Sequence, residues 1–194
     1  MRIAILMMTA GFSRRFRQNT GKHKLLALLN GKPVLQHSLE QAAATGLDLF
    51  VVTRPEDAAI HAQITAGQRV ICDSKGLGDS IAAGVKASAA YDGWLITLGD
   101  MPFIASGSLL AVAAALHHSP LARAVVHGQP GHPVGFQRGF YQALSELQGD
   151  TGARALLQHT LCHAVEVEDT GCVQDIDTEA DLIRFNSLMA AGSR

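Results

Sequence analysis

The first predicted element has the sequence Ile3-Ala-Ile-Leu-Met-Met8 and runs directly into Thr9-Ala-Gly-Phe-Ser-Arg-Arg15. Six consecutive apolar residues are typical of a strand whose two faces are both covered, as in a parallel sheet between helices. The small and cationic residues that follow then form a loop at the carboxyl end of that strand. Open α/β sheets bind their ligands at this edge. The stretch therefore predicts a fold class and the edge at which functional residues gather.

The same alternation of apolar runs and helix-length amphipathic stretches continues along the chain. Strands are predicted at Ile3–Met8, Asp48–Thr53, Arg69–Cys72, Trp94–Leu98, Ala122–Val126, Val134–Gln137 and Ala164–Val167, and helices at Pro33–Ala44, Pro55–Ala66, Asp79–Ala90, Ser106–His117, Phe140–Leu147, Thr151–His159 and Glu179–Leu188. Residues 127–133, HGQPGHP, suit a hairpin or a loop between two strands. Helices between successive strands predict right-handed crossovers. We expect a three-layer α/β/α, Rossmann-like fold with a mostly parallel mixed sheet.

The composition is that of a globular protein. The chain has 194 residues, 47% of them hydrophobic, and its 16 Lys and Arg nearly balance 17 Asp and Glu, for a net charge of −1. This length suits one domain with a sizeable core, and we expect a single domain over residues 1–194. The hydrophobic share excludes a disordered chain. The near-neutral charge gives no reason to expect nucleic acid or a membrane as partner.

Cysteine usage and apolar run lengths bear on the compartment. Cys72, Cys162 and Cys172 are widely spaced and form no CxxC pair, so reduced thiols of a cytosolic protein are expected. The apolar start is too short for a signal-peptide core, and no apolar run approaches the ~20 residues that span a bilayer. The expected localisation is cytoplasmic.

The charges are distributed unevenly along the chain. No acidic residue occurs before Glu40, and the cations of that segment are Arg2, Arg14, Arg15, Arg17, Lys22, Lys24 and Lys32. Conversely, the stretch from Glu166 to Asp181 has seven acidic residues and no Lys or Arg. The two ends of the chain therefore suit ligands of opposite charge.

The basic loop at residues 9–24 suits a phosphate group. Backbone N–H groups among small residues approach an anion closely, and Arg and Lys add charge-assisted donors; a solvated basic loop is the alternative. The Walker pattern GxxxxGK[ST] fails because His23 follows Gly21-Lys22. GxGxxG fails because Ile81 stands where Gly76-Leu-Gly78 needs a third glycine. The sequence thus supports neither a P-loop kinase nor an ordinary dinucleotide dehydrogenase.

Two segments offer carboxylates for a metal ion. Asp100, in Leu98-Gly-Asp-Met-Pro102, ends an apolar strand, where a charge needs a compensating cation. Mg²⁺ held by one or two carboxylates and substrate phosphates meets that need, and a turn or helix cap is the alternative. Asp175 and Asp177 flank Ile176 and would face the same side of a strand end. Either can supply a second carboxylate, and capping of the final helix is again the alternative.

Three further motifs contain residues suited to substrates. Gly76-Leu-Gly78 opens a helix after a strand, where small residues let a nucleobase or phosphate approach; ordinary turn glycines are the alternative. His132, in Gly131-His-Pro133, can donate a hydrogen bond to a phosphate or exchange a proton with it near neutral pH; a core or surface histidine is the alternative. Arg154, one helical turn from Asp150, suits a phosphate contact.

These motifs occur in a fixed order that resembles a known family. They are Met8-Thr-Ala-Gly-Phe-Ser-Arg-Arg15, Lys24-Leu-Leu26, Gly99-Asp-Met-Pro102, Gly131-His-Pro-Val-Gly-Phe136, Gly149-Asp-Thr-Gly-Ala-Arg154 and Asp175-Ile-Asp-Thr178. Together they resemble the MobA-like NTP transferases, and most closely the molybdenum cofactor cytidylyltransferases. Phe16-Arg17 replaces the family's usual Met-Gly, and Glu179 replaces its proline. The resemblance runs from Met8 to Leu182 and implies the nucleotide-diphospho-sugar transferase (GT-A-like) form of the fold.

The resemblance also implies roles for individual residues. Nucleotide binding falls to Ala10, Gly11, Ser13, Arg15, Lys24, Gly76 and Gly78, metal binding to Asp100 and Asp177, and second-substrate binding to His132, Asp150 and Arg154. Arg15, Lys24 and Asp100 are the implied catalytic residues. Lys22 competes with Lys24 for the triphosphate, and Asp175 remains the alternative to Asp177 as metal ligand.

The implied reaction is transfer of CMP from CTP to the terminal phosphate of molybdopterin, with Mg²⁺ as cofactor and pyrophosphate as product. GTP is the alternative nucleotide, and another phosphorylated small molecule is the alternative acceptor. Guanylyltransferases commonly have Gly at the position of Ala10, and the Gly-His-Pro motif favours the cytidine group. A different class remains open, namely a carrier that hands the cofactor to a recipient molybdoenzyme.

Overall fold

The computed structural model describes residues 1–192. Its strands are β1 (Ile3–Met8), β2 (Leu28–Leu29), β3 (Lys32–Pro33), β4 (Asp48–Thr53), β5 (Gln68–Ile71), β6 (Gly93–Leu98), β7 (Leu121–Val126), β8 (Gln129–Gln137) and β9 (His163–Glu166). Its α-helices are α1 (Arg14–Thr20), α2 (Val34–Ala43), α3 (Ala58–Gln63), α4 (Leu77–Ala87), α5 (Ser106–Ala115), α6 (Tyr141–Ser145), α7 (Arg154–His159) and α8 (Glu179–Gly192). Short 3₁₀ helices cover Lys24–Leu26, Arg138–Phe140 and Thr170–Val173.

Seven strands form one mixed sheet in the order β5-β4-β1-β6-β8-β7-β9. The pairs β5-β4, β4-β1, β1-β6 and β7-β9 are parallel, and β8 runs antiparallel to both β6 and β7. The expected α/β fold with a mostly parallel mixed sheet is confirmed. Because β1 lies between β4 and β6, its carboxyl end is an inner position on the sheet edge where the connecting loops gather.

The first strand is buried on both faces, as its unbroken apolar run predicts. Ile5 and Met7 pack in one hydrophobic cluster with residues of α2 and α5, whereas Leu6 and Met8 pack in a second cluster with residues of α4. This alternation is the two-residue period of a strand. Two opposed clusters hold the central strands firmly, so the loops that follow β1 and β6 project from a rigid base.

The structure differs from expectation in the basic loop and in the hairpin. Residues Arg14–Thr20 form α1 rather than a loop; Ser13 precedes the helix with φ 50°, and Gly21 ends it with φ 68°. Gly at this position is a usual helix stop. The HGQPGHP segment is mostly strand, since β8 begins at Gln129 and His127-Gly128 alone make the turn, both with positive φ.

Several element boundaries also differ from the predictions. The helix predicted from Pro55 to Ala66 spans only Ala58–Gln63, because Asp57 stands at its N-cap position after a turn. β8 accommodates Pro130 and Pro133 beside a register shift in β7 between Arg123 and Val125, where strand prolines are usually tolerated.

Among the helices of residues 1–192, none combines the length and apolarity needed to cross a lipid bilayer.

Candidate active site

A cleft of about 440 Å³ opens at the carboxyl ends of β1 and β6. Its walls come from the loop after β1, the start of α4, the loop after β6 and the segment before α8. The lining residues are Met8, Thr9, Ala10, Gly11, Phe12, Ser13, Arg14, Arg15, His23, Lys24, Leu25, Lys75, Gly76, Leu77, Ser80, Leu98, Asp100, Asp150 and Asp177. Most residues predicted to bind the nucleotide, and both predicted metal ligands, therefore border one cleft.

An ion-pair network crosses this cleft. The Lys24 ammonium lies 2.6 Å from Oδ2 of Asp100 and 3.1 Å from Oδ1 of Asp177. The Arg15 guanidinium pairs with the other oxygen of Asp177. These contacts join the basic N-terminal segment to the acidic C-terminal segment, which are separated by more than 150 positions in the chain.

The network perturbs the pKa values of its members. Burial alone would lower the pKa of Lys24, but the charges of Asp100 and Asp177 outweigh it and raise this pKa. Burial opposes ionisation of Asp177 as well, yet its contacts with Lys24 and Arg15 bring its pKa below the usual value. Asp175 shows the opposite shift, because loss of hydration and the nearby Asp100 charge raise its pKa. Lys24 and Asp177 are thus held in their charged forms.

The carboxylates suit a hard divalent cation. Within residues 1–192, Oδ1 of Asp100 is buried and makes no hydrogen bond, so this side chain keeps an unused oxygen. The same described residues contain no cluster of three or more His, Cys, Asp or Glu that could enclose a metal by itself. Mg²⁺ typically takes one or two protein carboxylates and completes its shell with water and substrate phosphates. Asp100 and Asp177 fit that pattern.

The alternatives for the lysine and for the second carboxylate occupy different places. Lys22 is exposed and lies outside the cleft lining, whereas Lys24 is largely buried in it. Asp177 lines the cleft, and Asp175 is exposed, although its pKa shows that it lies near Asp100. The geometry favours Lys24 over Lys22 for contact with the triphosphate, and Asp177 over Asp175 as the second metal ligand.

His23 is a cleft residue that the sequence motifs did not single out. Its Nδ1 accepts the Leu25 N–H at 3.2 Å, and Oγ of Ser13 lies 3.3 Å from the same nitrogen. Burial lowers the pKa of His23. The neutral ring therefore ties the left-handed residue Ser13 to the short 3₁₀ helix that carries Lys24. Its position next to Lys24 in the motif was the available signal.

Phe12 and Arg54 were also missed. Phe12 is partly exposed in the cleft wall, and the guanidinium carbons of Arg14 and Arg54 lie 4.9 and 4.1 Å from its ring centroid. Arg54 is buried and donates to the backbone carbonyl of Ser74. Cation–π contact on an aromatic ring is favourable by about 0.5–2 kcal/mol, so Phe12 is held in place rather than free. Nothing in the sequence pattern linked residue 54 to this loop.

Gly76, just before α4, and Gly78, in its first turn, were expected to face a nucleotide, but they pack against residues 148–151. A Cβ on Gly76 would overlap the backbone of Gly149, and one on Gly78 would lie 2.5 Å from the Thr151 carbonyl oxygen. The Asp79 carboxylate accepts from Gly149 N–H at 3.0 Å. The small residues therefore allow close packing of residues 148–151, and Gly76 alone of the two borders the cleft.

The residues predicted for the second substrate are only partly brought together. Asp150 borders the cleft, whereas His132 and Arg154 do not line it, and Arg154 is exposed at the start of α7. His132 stands on β8, near both Arg123 and Asp100. Burial, with a smaller contribution from Arg123, lowers the pKa of His132 to about 4. This shift favours a neutral His132 in the folded protein, so of the two predicted roles it argues for hydrogen-bond donation to a phosphate and against proton exchange with it.

Comparisons with known proteins agree on one class. The family model of the MobA-like NTP transferase domain matches residues 5–166, which ends before Asp177. A bifunctional protein GlmU from Dinoroseobacter shibae is 34% identical over 122 residues, covering 59% of this chain and 27% of the GlmU chain. The chain thus spans about a quarter of the length of the curated relatives it matches.

Solved structures share the fold over nearly the whole chain. The Rv0371c homologue from Mycobacterium sp. strain JC1 superposes with a TM-score of 0.83 at 23% identity, covering 98% of this chain and 99% of that one. Molybdopterin-guanine dinucleotide biosynthesis protein A from Archaeoglobus fulgidus gives 0.74 at 18% identity, with 97% and 99% covered. At these identities the likeness establishes the nucleotidyltransferase type of α/β fold.

Proposed function

Because this chain belongs to the MobA-like NTP transferase family, we propose that it transfers CMP from CTP to the terminal phosphate of molybdopterin and releases pyrophosphate. The nucleotidyltransferase class follows from the family. The identity of the nucleotide, CTP, and of the acceptor, molybdopterin, is what we propose beyond that class. One observation carries it most directly: Arg15 and Lys24 meet Asp100 and Asp177 in a single cleft at the carboxyl ends of β1 and β6.

The proposed reaction needs little covalent chemistry from the protein. A phosphate oxygen of the acceptor attacks the α-phosphorus of CTP, and the bond to the β-phosphate oxygen breaks as pyrophosphate leaves. The attacking phosphate is already ionised near neutral pH, so no protein base is required. Catalysis then rests on alignment of the two phosphates and on neutralisation of developing charge.

The cleft residues divide this work. Gly11 and Ser13 lie in the loop whose backbone faces the triphosphate, and Arg15 and Lys24 neutralise the leaving pyrophosphate. Asp100 and Asp177 would hold Mg²⁺, which when bound supplies charge stabilisation to the phosphates. Asp150 in the cleft, neutral His132 on β8 and exposed Arg154 at the start of α7 form the proposed acceptor side.

The choice of nucleotide rests on the motif resemblance. Ala10 is buried in the cleft wall at a position where guanylyltransferases commonly have Gly, and the Gly-His-Pro motif at residues 131–133 favours the cytidine group. GTP remains the alternative nucleotide, and a different phosphorylated small molecule remains the alternative acceptor. A carrier for a recipient molybdoenzyme is disfavoured, because carriage alone requires no paired carboxylates beside two cations.

Pyrophosphate release tests the proposal. The purified protein is given CTP or GTP with Mg²⁺, with molybdopterin cofactor or with an unrelated sugar phosphate as acceptor. We expect release with CTP and molybdopterin cofactor. Preference for GTP would overturn the nucleotide, release only with the sugar phosphate would overturn the acceptor, and tight cofactor binding without release in any combination would support the carrier.

A further inference from the structure

Lys24 lies between the two carboxylates proposed to bind the metal. Its Nζ is 2.6 Å from Oδ2 of Asp100 and 3.1 Å from Oδ1 of Asp177. The exposed fractions of these three side chains are 13%, 16% and 33%, so the contacts are shielded from bulk water. Ion pairs with this degree of burial are substantially stronger than those at an open surface.

A metal held by the same carboxylates competes with Lys24. Mg²⁺ binds oxygen at about 2.0–2.1 Å, shorter than either contact of the ammonium. A divalent ion held by Asp100 and Asp177 would lie close to the Lys24 ammonium, and the two positive charges would repel each other. Charge repulsion therefore disfavours a metal on this carboxylate pair while Lys24 stays in contact with it.

We propose that Lys24 is an internal counterion for the carboxylates of Asp100 and Asp177. It leaves them only when a nucleoside triphosphate offers it another partner. This inference rests on the proposed function and extends it to the order of binding. The metal enters the site with the nucleotide and not before it. The free enzyme thereby keeps its paired carboxylates without a resident ion.

The charges that face the pair fit this exchange. Arg15 contacts the Asp177 oxygen that Lys24 does not contact, and together the two cations balance the two carboxylates. A triphosphate brings enough negative charge to attract both cations, and an accompanying divalent ion then replaces them on the carboxylates. The divalent ion then balances the two carboxylates as the two cations did before, which avoids an unpaired buried ion.

The exchange has a thermodynamic signature. A side chain that competes with the metal weakens binding of the metal alone, and removal of that side chain must strengthen it. In the wild-type protein we therefore expect weak binding of Mn²⁺, a spectroscopic substitute for Mg²⁺, without nucleotide.

Mn²⁺ binding without nucleotide tests the exchange by a readout independent of turnover. Free Mn²⁺ is followed by electron paramagnetic resonance in titrations of the wild type, Lys24→Met and Lys24→Gln. We expect both variants to bind Mn²⁺ at least about tenfold more tightly than the wild type, because each removes a competing charge from the pair. Two lysine variants are used so that a folding defect in one, detected by thermal melting, leaves the other.

Two controls locate the effect. Lys22→Met removes an equal charge from an exposed position two residues away and should leave Mn²⁺ affinity within about twofold of wild type. Asp177→Asn in the Lys24→Met background should cancel the gain, since one ligand is lost. Unchanged affinity in the folded Lys24 variants, or an equal gain in Lys22→Met, would overturn the exchange.

The outcome is separable from that of the proposed function. If the wild type releases pyrophosphate from CTP but the Lys24 variants gain no Mn²⁺ affinity, the reaction stands and the counterion role fails. If the variants gain affinity but no nucleotide is turned over, the counterion role stands and the proposed reaction fails.

Discussion

Asp100 has its two carboxylate oxygens in different surroundings. Oδ2 is paired with Lys24 at 2.6 Å, while Oδ1 is buried and, in the described part of the chain, makes no hydrogen bond. An unpaired buried oxygen costs free energy unless a ligand uses it. A side chain that serves only as a turn cap would not need this arrangement, so Asp100 is best explained as a site residue.

Replacement of Asp100 is the sharpest residue-scale test. Asp100→Asn keeps the shape but removes the charge, and we expect kcat/KM for pyrophosphate release to fall by about 10²–10³ or more. Asp73→Asn, at an exposed carboxylate outside the ion-pair network, is the matched control and should retain near wild-type activity. Thermal melting checks that both variants fold. Wild-type turnover in folded Asp100→Asn would exclude the metal-ligand role.

His23 should act on nucleotide binding through its neighbours. His23→Ala removes the acceptor for Leu25 N–H and the contact with Ser13, so the loop loses its tie to Lys24. We expect KM for the nucleotide to rise about tenfold and kcat to change much less. His117→Ala, at an exposed site after α5, should change neither constant. A loss confined to kcat would instead indicate that His23 contacts the reacting groups.

At the scale of elements, strands were easier to predict than the loops that carry the site. β1, β4 and β6 follow from apolar runs because both faces of each are buried. α1 was missed because it is short, strongly cationic and has little apolar periodicity apart from Phe16. The strand in residues 129–133 was missed because Gly and Pro usually signal a turn, and the bulge that accommodates them is a tertiary feature.

The contact between α4 and residues 148–151 gives an element-scale prediction. Gly76→Ala and Gly78→Ala each place a methyl group against backbone atoms of this segment, so we expect each to lower the free energy of unfolding by about 1–3 kcal/mol. A Cβ on Gly107 in α5 meets no described atom within 4 Å outside its chain neighbours and its own stretch of helix backbone. Gly107→Ala should therefore raise the free energy of unfolding by up to about 1 kcal/mol. Urea denaturation measures all three. Equal stability of the three variants would mean that the segment moves aside without cost.

On the scale of the whole molecule, the uneven charge distribution has a structural explanation. The basic segment before Glu40 and the acidic segment around Asp177 are distant in the chain, and the sheet order brings them to one cleft through Lys24 and Arg15. Sequence could predict which strand ends carry charged residues. It could not decide between Lys22 and Lys24, or between Asp175 and Asp177, because those choices depend on how α1 and the segment before α8 turn in space.

Global stability should depend on pH through His132. Its pKa is lowered from 6.5 to about 4 in the folded protein, whereas the unfolded chain keeps the ordinary value. Above pH 6.5, His132 is neutral in both the folded and the unfolded state, so it does not affect stability. Between pH 6.5 and pH 4, His132 is protonated in the unfolded state but still neutral in the folded state, so stability falls as the pH falls. Between about pH 7.5 and about pH 4.5 the expected loss is roughly 2–3 kcal/mol.

The His132→Asn variant isolates this contribution. His23 also makes the folded protein less stable as the pH falls, because burial lowers its pKa too. The lowered pKa of Asp177 adds a further loss of stability only at more acidic pH. The variant should therefore show a shallower decline than the wild type and not a flat profile. Urea denaturation of the wild type and of the variant at about pH 7.5 and about pH 4.5 gives the loss of unfolding free energy for each protein, and the two losses are compared. Parallel profiles would mean that His132 takes up its proton equally well in the folded protein, which would restore the proton exchange with substrate that its burial now argues against.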